Sequence, residues 1–417
     1  MKRVLAISWS LPPLLGARSV QVARTLSFLA ARGWKVTAVS VNPQSLHSGV
    51  AIDKQLAGFY LQDLDVIRIN APRMMIMFQA LRHYSPGLAL LPDDQVVWSS
   101  RVVAEIEKRH SPGDFDILLT FGHPWSDHLA GLAIKRALDL PWLAHFSDPW
   151  ADNPYYQRLN KRQRTKMAQQ EASVIDNANA VVFTSRPTID LVMQKYPAEW
   201  KKKTSVIPHG YDSRWLEKSK SAGRERQRLR VVHTGSVYGL RSLKGLMEAL
   251  VLVKTEPGIL EHLDIVLVGR IKEQERWQKF AERNGISGSL SFVGQVSYGE
   301  SLMYASTADV LMIIDAPSEG ESVFLPSKLV DYLMYQKPIL GLTPDHGATA
   351  SLLRRLNCVV IPPLESRLIA QELISLLSRW RKKDLNIGRH FARLAREYDM
   401  QTTTDALEAL LLSLMDN

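Results

Sequence analysis

The stretch "GESVFLPSKLVDYLMYQKPILGL" (320–342) gathers five polar or charged side chains, Glu321, Ser322, Ser327, Lys328 and Asp331, around what the pattern predicts to be a helix start. Pro326 restricts the chain just before it, and Ser327 suits an N-cap. Leu325, Leu329 and Leu333 form an apolar stripe, while Lys328 and Asp331, three apart, share another face. A helix start attracts anions through its unpaired N–H groups and dipole. A carboxylate one turn further in suits the hydroxyls of a ribose. The same residues also fit an ordinary capped helix with a surface ion pair.

A second stretch, "HTGSVYGLRSLKGLMEAL" (233–250), leaves a strand at Gly235 and Ser236 and enters a helix near Ser242. Backbone N–H groups with Arg241 and Lys244 would suit a diphosphate, which needs positive charge and close backbone approach. Arg270, at the end of "LVGR", is another cation at a strand end, and the bland reading makes Arg241 and Lys244 surface charges. In "PPLLGARSVQVARTL" (12–26), Gly16 either admits a ligand to the backbone or makes a turn. "TFGHPWSDH" (120–128) and "LAHFSDPWADNPYY" (143–156) place His123, His145 and Asp148 at strand ends; lone histidines are more often structural. No His, Cys or Asp cluster has metal-ligand spacing, so no metal is expected.

These residues need elements to position them. Short β-branched runs alternate with helical patterns: "VLAIS", "KVTAVSV", "VIRIN", "ILLT", "WLAHF", "AVVFT" and "TSVIP", then "LRVVHTG", "LDIVLVG", "SLSFVG", "ADVLMII", "PILGL" and "CVVIP". Such alternation predicts an α/β fold of two Rossmann-like, doubly wound parallel sheets, with ligands beyond the carboxyl ends of the strands. Residues 209–228 are polar and strand-free. The expected division is 1–208 for an acceptor-binding domain, 209–228 for a linker, 229–395 for a donor-binding domain, and 396–417 for a closing helix that could pack back on the first. The 417 residues fit two cores better than one. Cys358 is the lone cysteine, which excludes an internal disulfide and fits a reducing compartment. The apolar run of "MKRVLAISWSLPP" is too short for a signal-peptide core, and no run reaches the length of a spanning helix. The formal charge of +10 fits nucleic acid, an anionic membrane or a phosphorylated substrate. "KRQRTK" (161–166), "KKK" (201–203) and "RERQRLR" (224–230) read equally as solvated faces.

"SKLVDYLMYQKPIL" resembles the nucleotide-sugar-binding segment of retaining GT-B glycosyltransferases of family four. In that family two glutamates stand at a fixed interval, the second on the donor ribose and the first near the transferred sugar. Asp331 takes the second position and Val323 the first, leaving Glu321 or Glu319 as substitutes. "HTGSVYGLRSLKG" is similar to the family's diphosphate loop, whose arginine falls in register on Gly239, leaving Arg241 to replace it beside Lys244. "PPLLGAR" is similar to its first glycine loop. "DPW" is similar to a segment of the polysaccharide-building branch, which makes Asp148 the first candidate near the reacting sugar, before His145 and His123. "VIPHGYD" (206–212) is similar to an interdomain segment, with His209 at a hinge. The resemblance implies a hexosyltransferase-type enzyme with retention of configuration. The nucleotide-diphosphate sugar is its co-substrate and no cofactor is needed. Lys and Arg do the work of a divalent ion, and a donor phosphate oxygen takes the acceptor proton.

A glycan or lipid-linked acceptor is expected, in cell-surface polysaccharide or glycolipid synthesis. The protein is expected to be cytoplasmic or peripheral on the inner membrane face. "PRMMIMFQALRHYSPGLALLP" (72–92) reads either as a membrane-interface segment or as a core helix. A nucleotide-sugar epimerase and a degenerate, inactive sugar-nucleotide binder share the architecture. A dinucleotide oxidoreductase lacks its glycine fingerprint here. A nucleic-acid binder would use the charge but leaves the strand-end motifs unexplained.

Overall fold

The computed structural model describes residues 1–47, 49–75, 91–154, 156, 159–218, 227–317 and 322–416. They form two units, 1–209 with 400–417, and 210–399. In the first unit, β1 (Arg3–Ile7), β2 (Lys35–Val41), β3 (Asp65–Ile69), β4 (Ile117–Gly122), β5 (Trp142–Phe146), β6 (Ala180–Phe183) and β7 (Thr204–Val206) form one sheet in the order β3-β2-β1-β4-β5-β6-β7. In the second, β8 (Leu229–Thr234), β9 (Leu263–Val268), β10 (Leu290–Gly294), β11 (Val310–Ile314), β12 (Ile339–Leu342) and β13 (Val359–Ile361) take the order β10-β9-β8-β11-β12-β13. All the strand pairings are parallel. The central strands are buried along nearly their whole length, because helices cover both faces, and so they read as unbroken apolar runs.

The strand order reverses between β1 and β4 in one unit and between β8 and β11 in the other. At such switch points neighbouring connections leave in opposite directions and open a crevice beyond the strand ends. The Asp-Pro-Trp loop follows β5. Trp150 is buried and stacks on Trp125 at 5.2 Å, with ring planes 4° apart. Glu171, fully buried, accepts the Ala151 N–H at 2.8 Å and the Tyr196 hydroxyl at 2.7 Å. Apolar stacking and a buried carboxylate therefore fix the loop that carries Asp148.

The helix Met400–Met415 belongs to the first unit. It buries Leu407 and Leu411, and its Glu408 accepts from Trp34 Nε1 at 2.8 Å and pairs with Lys2 and Arg32. Within 209–228, residues 210–218 fold into the second unit. Trp215 anchors them, lying buried and edge-on to Tyr298 at 5.5 Å. Tyr211 pairs with Asp399, so the two places where the chain changes unit lie side by side. Residues 76–90, the middle of the expected membrane segment, lie outside the described residues.

Two glycines shape the loops of the second unit. Gly347 has φ +114°, and a Cβ there would lie 2.2 Å from the Ser322 carbonyl oxygen. That carbonyl accepts the Ala348 N–H at 2.7 Å, which ties the loop before "PSK" to the β12 connection. Gly269 has φ +127°, and a Cβ there would lie 2.6 Å from the Gly235 carbonyl.

Gly347→Ala combines positive-φ strain with a backbone clash and should cost about 1–3 kcal/mol. The melting temperature should fall by several degrees; an unchanged value would show that the loop tie is dispensable. Acid supplies a second measurement. His128, His145 and His233 are buried and held below their ordinary pKa, in each case mainly by desolvation. Folded, they stay neutral where the unfolded chain begins to protonate, near 6.5. Stability should therefore fall as pH falls from 6.5 to 5, by up to about 1.4 kcal/mol per histidine per pH unit. Asp127 and Asp93, whose carboxyls burial pushes up, offset part of that loss. A melting temperature equal at pH 5 and 6.5 would contradict this balance.

Candidate donor and acceptor sites at the strand ends

The second unit's site begins where two strands part. β8 and β11 pair at Val231–Val310 and Val232–Leu311 and no further. The next ladder groups, the Thr234 N–H and the Met312 carbonyl, would be left buried and unpaired, which costs about 1–3 kcal/mol per group. The Tyr332 hydroxyl, from the helix Ser327–Leu333, bridges them. It accepts from Thr234 at 2.7 Å and donates to Met312 at 3.4 Å. The buried His233 adds its Nδ1 to the same carbonyl at 2.9 Å.

The same helix delivers Lys328. Its ammonium lies 3.4 Å from His233 Nε2 and 2.9 Å from where a Cβ on Gly235 would stand. Gly235, with φ +111°, donates its N–H to Val268 at 2.7 Å, and only a residue without a side chain leaves room for Lys328. Desolvation, with the Arg241 cation adding to it and Asp315 opposing, brings the Lys328 ammonium down to about 7. Arg241 stacks over Tyr238 at 4.9 Å and stands 3.7 Å from Asp315, whose other carboxylate oxygen accepts from Thr343 at 3.1 Å. Ser236 lies in a loop knit to the β9 end by Val237–Arg270 and Lys272–Val237 backbone bonds at 2.9 Å each. Gly235, Ser236, Arg241, Lys328 and Asp315 thus converge on the switch point.

The remaining expected donor residues are placed as follows. Asp331 is buried and accepts from the Tyr298 hydroxyl at 3.0 Å. Ser322 lies in the loop held by Gly347. Arg270 is exposed at the β9 end, 3.5 Å from Gln295. Lys244 does not join the cluster: it sits exposed on its helix, 3.9 Å from Glu248. Its side chain leaves from the helix's solvent face, which spacing alone could not tell from the site face. Ser327 is not the N-cap. Pro326 holds that position without a side-chain cap, since its fixed φ of −60° already sets the entry. Glu321 and Glu319 lie outside the described residues.

In the first unit, Gly16 precedes the helix Ala17–Ala31 in extended backbone, with open space where a Cβ would stand. Arg18 donates to Ser147 Oγ and lies 3.7 Å from the Asp148 carboxylate. Ser147 Oγ lies 3.1 Å from His209 Nε2, and His209 stacks on His145 at 5.5 Å. Burial and Arg18 together lower His145 to about 3, so it stays neutral and works only as a neutral ring. Its Nδ1 is buried without a partner among the described residues. Gly16, Asp148 and His145 therefore gather around Arg18 and Ser147. His123 is exposed at the β4 end, edge-on to Trp125. Asp93 Oδ2 caps the Trp125 and Ser126 N–H groups at 2.6 and 3.1 Å.

Sequence reasoning missed Asp315, His233, Tyr332, Tyr298, Arg18 and Ser147. Asp315 was detectable as an acid directly after a strand, and His233 as a polar residue inside an apolar one. Tyr332 and Tyr298 resemble ordinary core and surface aromatics, and nothing in their spacing sets them apart.

No curated protein matches the chain by sequence. Residues 19–215 match the family described as Glycosyltransferase Family 4. The fold is similar to that of Anabaena HepE in complex with UDP-glucose, at 15% identity and TM-score 0.67, covering 99% of this chain and 100% of that one. It is also similar to sucrose-phosphate synthase from Thermosynechococcus elongatus, at 16% identity and TM-score 0.68, with 100% of both chains covered. WaaG, a glycosyltransferase involved in lipopolysaccharide biosynthesis, matches at 17% identity and TM-score 0.58, covering 99% and 98%. Residues 19–215 are thus similar to Glycosyltransferase Family 4, and the seven- and six-stranded parallel sheets are those of the GT-B fold.

Proposed function

We propose that this protein transfers a hexosyl group from a nucleoside-diphosphate sugar to a hydroxyl acceptor, with retention of configuration and without a metal ion. The observation that carries this reading is the β8–β11 switch point. There Lys328 lies against a side-chain-free Gly235, Arg241 stands beside it, and Asp331 projects from the helix that supplies Lys328. A sugar nucleotide needs these parts: cations and open backbone for the diphosphate, and a carboxylate for the ribose diol. The family match and the UDP-glucose bound to HepE support it.

The barrier in such a transfer is charge separation as the diphosphate leaves an oxocarbenium-like sugar. Lys328 and Arg241 stabilise the charge growing on the leaving group from positions fixed before the reaction, so little reorganisation is needed. Asp315 holds Arg241 in place and limits the local charge excess. The first unit receives the acceptor at the ends of β4 and β5, where His123 and Asp148 meet the acceptor hydroxyl or the transferred sugar. Retention follows if a donor phosphate oxygen takes the acceptor proton on the face the sugar leaves. The acceptor is a glycan or lipid-linked glycan of cell-surface polysaccharide or glycolipid synthesis. The site of action is the cytoplasm or the inner membrane face. Among the described residues no helix is long and apolar enough to cross a membrane.

Titration calorimetry with UDP, GDP, ADP and dTDP should find at least one binder. Asp331→Asn keeps an acceptor for Tyr298 but removes the charge, and should weaken that binder about tenfold or more. Lys328→Met should lower turnover about 100-fold or more, the scale seen when one charge-stabilising donor is removed. Turnover should persist in EDTA. Failure of all four nucleotides to bind, or full activity of Lys328→Met, would defeat the reading.

A further inference from the structure

The diphosphate cation does not stand alone in the second unit; it is seated on a buried imidazole. We propose that His233 is a positioning residue for donor binding: its Nε2 lone pair receives an N–H of Lys328 and holds the ammonium over Gly235 at the parted ends of β8 and β11. This inference rests on the nucleotide-sugar reading above and adds a residue that touches no substrate itself.

Four observations carry it. His233 is fully buried in a strand whose neighbours are apolar, a place where an unpaired imidazole is costly. Its Nδ1 lies 2.9 Å from the Met312 carbonyl, which can only accept. That bond puts the proton on Nδ1 and leaves Nε2 as an acceptor. The Lys328 ammonium, which can only donate, lies 3.4 Å from Nε2. The parting of β8 from β11 frees the Met312 carbonyl for this use, and Tyr332 secures the same carbonyl from the next turn of the Lys328 helix. Lysine carries four rotatable carbons, so a fixed acceptor at its tip removes freedom that diphosphate binding would otherwise have to remove.

The arrangement has a consequence in pH. The groups that face Lys328 are His233 from β8, Arg241 from the following loop and Asp315 from the β11 end. His233 is neutral and Arg241 stays charged. The lysine, brought down to about 7, is the group that changes charge near neutrality. A bound diphosphate favours the ammonium and raises its pKa. Below 7 the ammonium is already present and affinity is at its plateau. Above 7 each binding event takes up a proton, and affinity falls as pH rises.

The test uses the full chain and whichever of UDP, GDP, ADP and dTDP binds it most tightly, titrated at pH 6, 7, 8 and 9 in two buffers of different ionisation enthalpy. Wild type should take up close to one proton at pH 8 and bind roughly 50-fold more weakly at pH 9 than at pH 7. Lys328→Arg, charged at every pH used, should bind without proton uptake. His233→Phe should weaken binding roughly tenfold. His233→Gln, whose amide oxygen can stand where Nε2 was, should recover most of that loss. If the Phe variant does not fold, His233→Leu, which likewise lacks an acceptor, takes its place in the comparison with His233→Gln. Unaltered affinity and proton uptake in both His233 variants would overturn the positioning role while leaving the transferase reading intact. Proton uptake that survives Lys328→Arg would also overturn it. If none of the four nucleotides binds wild type, both fall together.

Discussion

The parting of β8 from β11 sets the terms for the second unit's site. A parallel ladder must pair its buried N–H and C=O groups, and here it stops at Val232 and Leu311, two residues short of the end of β8. Tyr332 replaces the missing rungs, and the Tyr332 helix carries Lys328 and Asp331 on adjacent positions of its surface. A repair of the sheet and a delivery of charge are therefore the work of one short helix. Changing the repair would move the charge.

Steric absence matters as much as presence. Gly235 and Gly269 hold positive φ and pack backbone to backbone, which joins the β8 and β9 turns and ties both amides into backbone bonds, Gly235 to Val268 and Gly269 to Gly294, at 2.7 Å each. Gly347 packs in the same way against the loop leading to Lys328. The cation cluster is balanced within this frame: Arg241 faces Asp315, and Lys328 faces a neutral ring. Such a site keeps excess positive charge without forcing two cations into contact.

The first unit solves a different problem. Its strand-end loops hold Arg18, Ser147, His209 and His145 in one chain of contacts, with Asp148 ion-paired at the edge. The aromatic stack of Trp125 and Trp150 under Asp148 is worth about 0.5–1.5 kcal/mol beyond its burial and fixes the loop's height above the sheet. The buried histidines there are neutral parts of the wall rather than acids.

Strand-helix alternation, the strand positions, the tandem of two Rossmann-like sheets and the helix bearing Lys328 and Asp331 were legible in the sequence. Each depends on periodicity and on local residue types, which a linear reading preserves. The partners of those residues were not legible. Lys244 and Lys328 look equally suited to a diphosphate on paper, yet one faces solvent beside Glu248 and the other lies on Gly235. His233, Met312 and Tyr332 are far apart along the chain and meet only because two strands diverge. Where a long side chain ends up, and which buried group fixes its proton, is decided by the packing of distant segments. The sequence determines which groups are available, and the tertiary fold decides which of them meet.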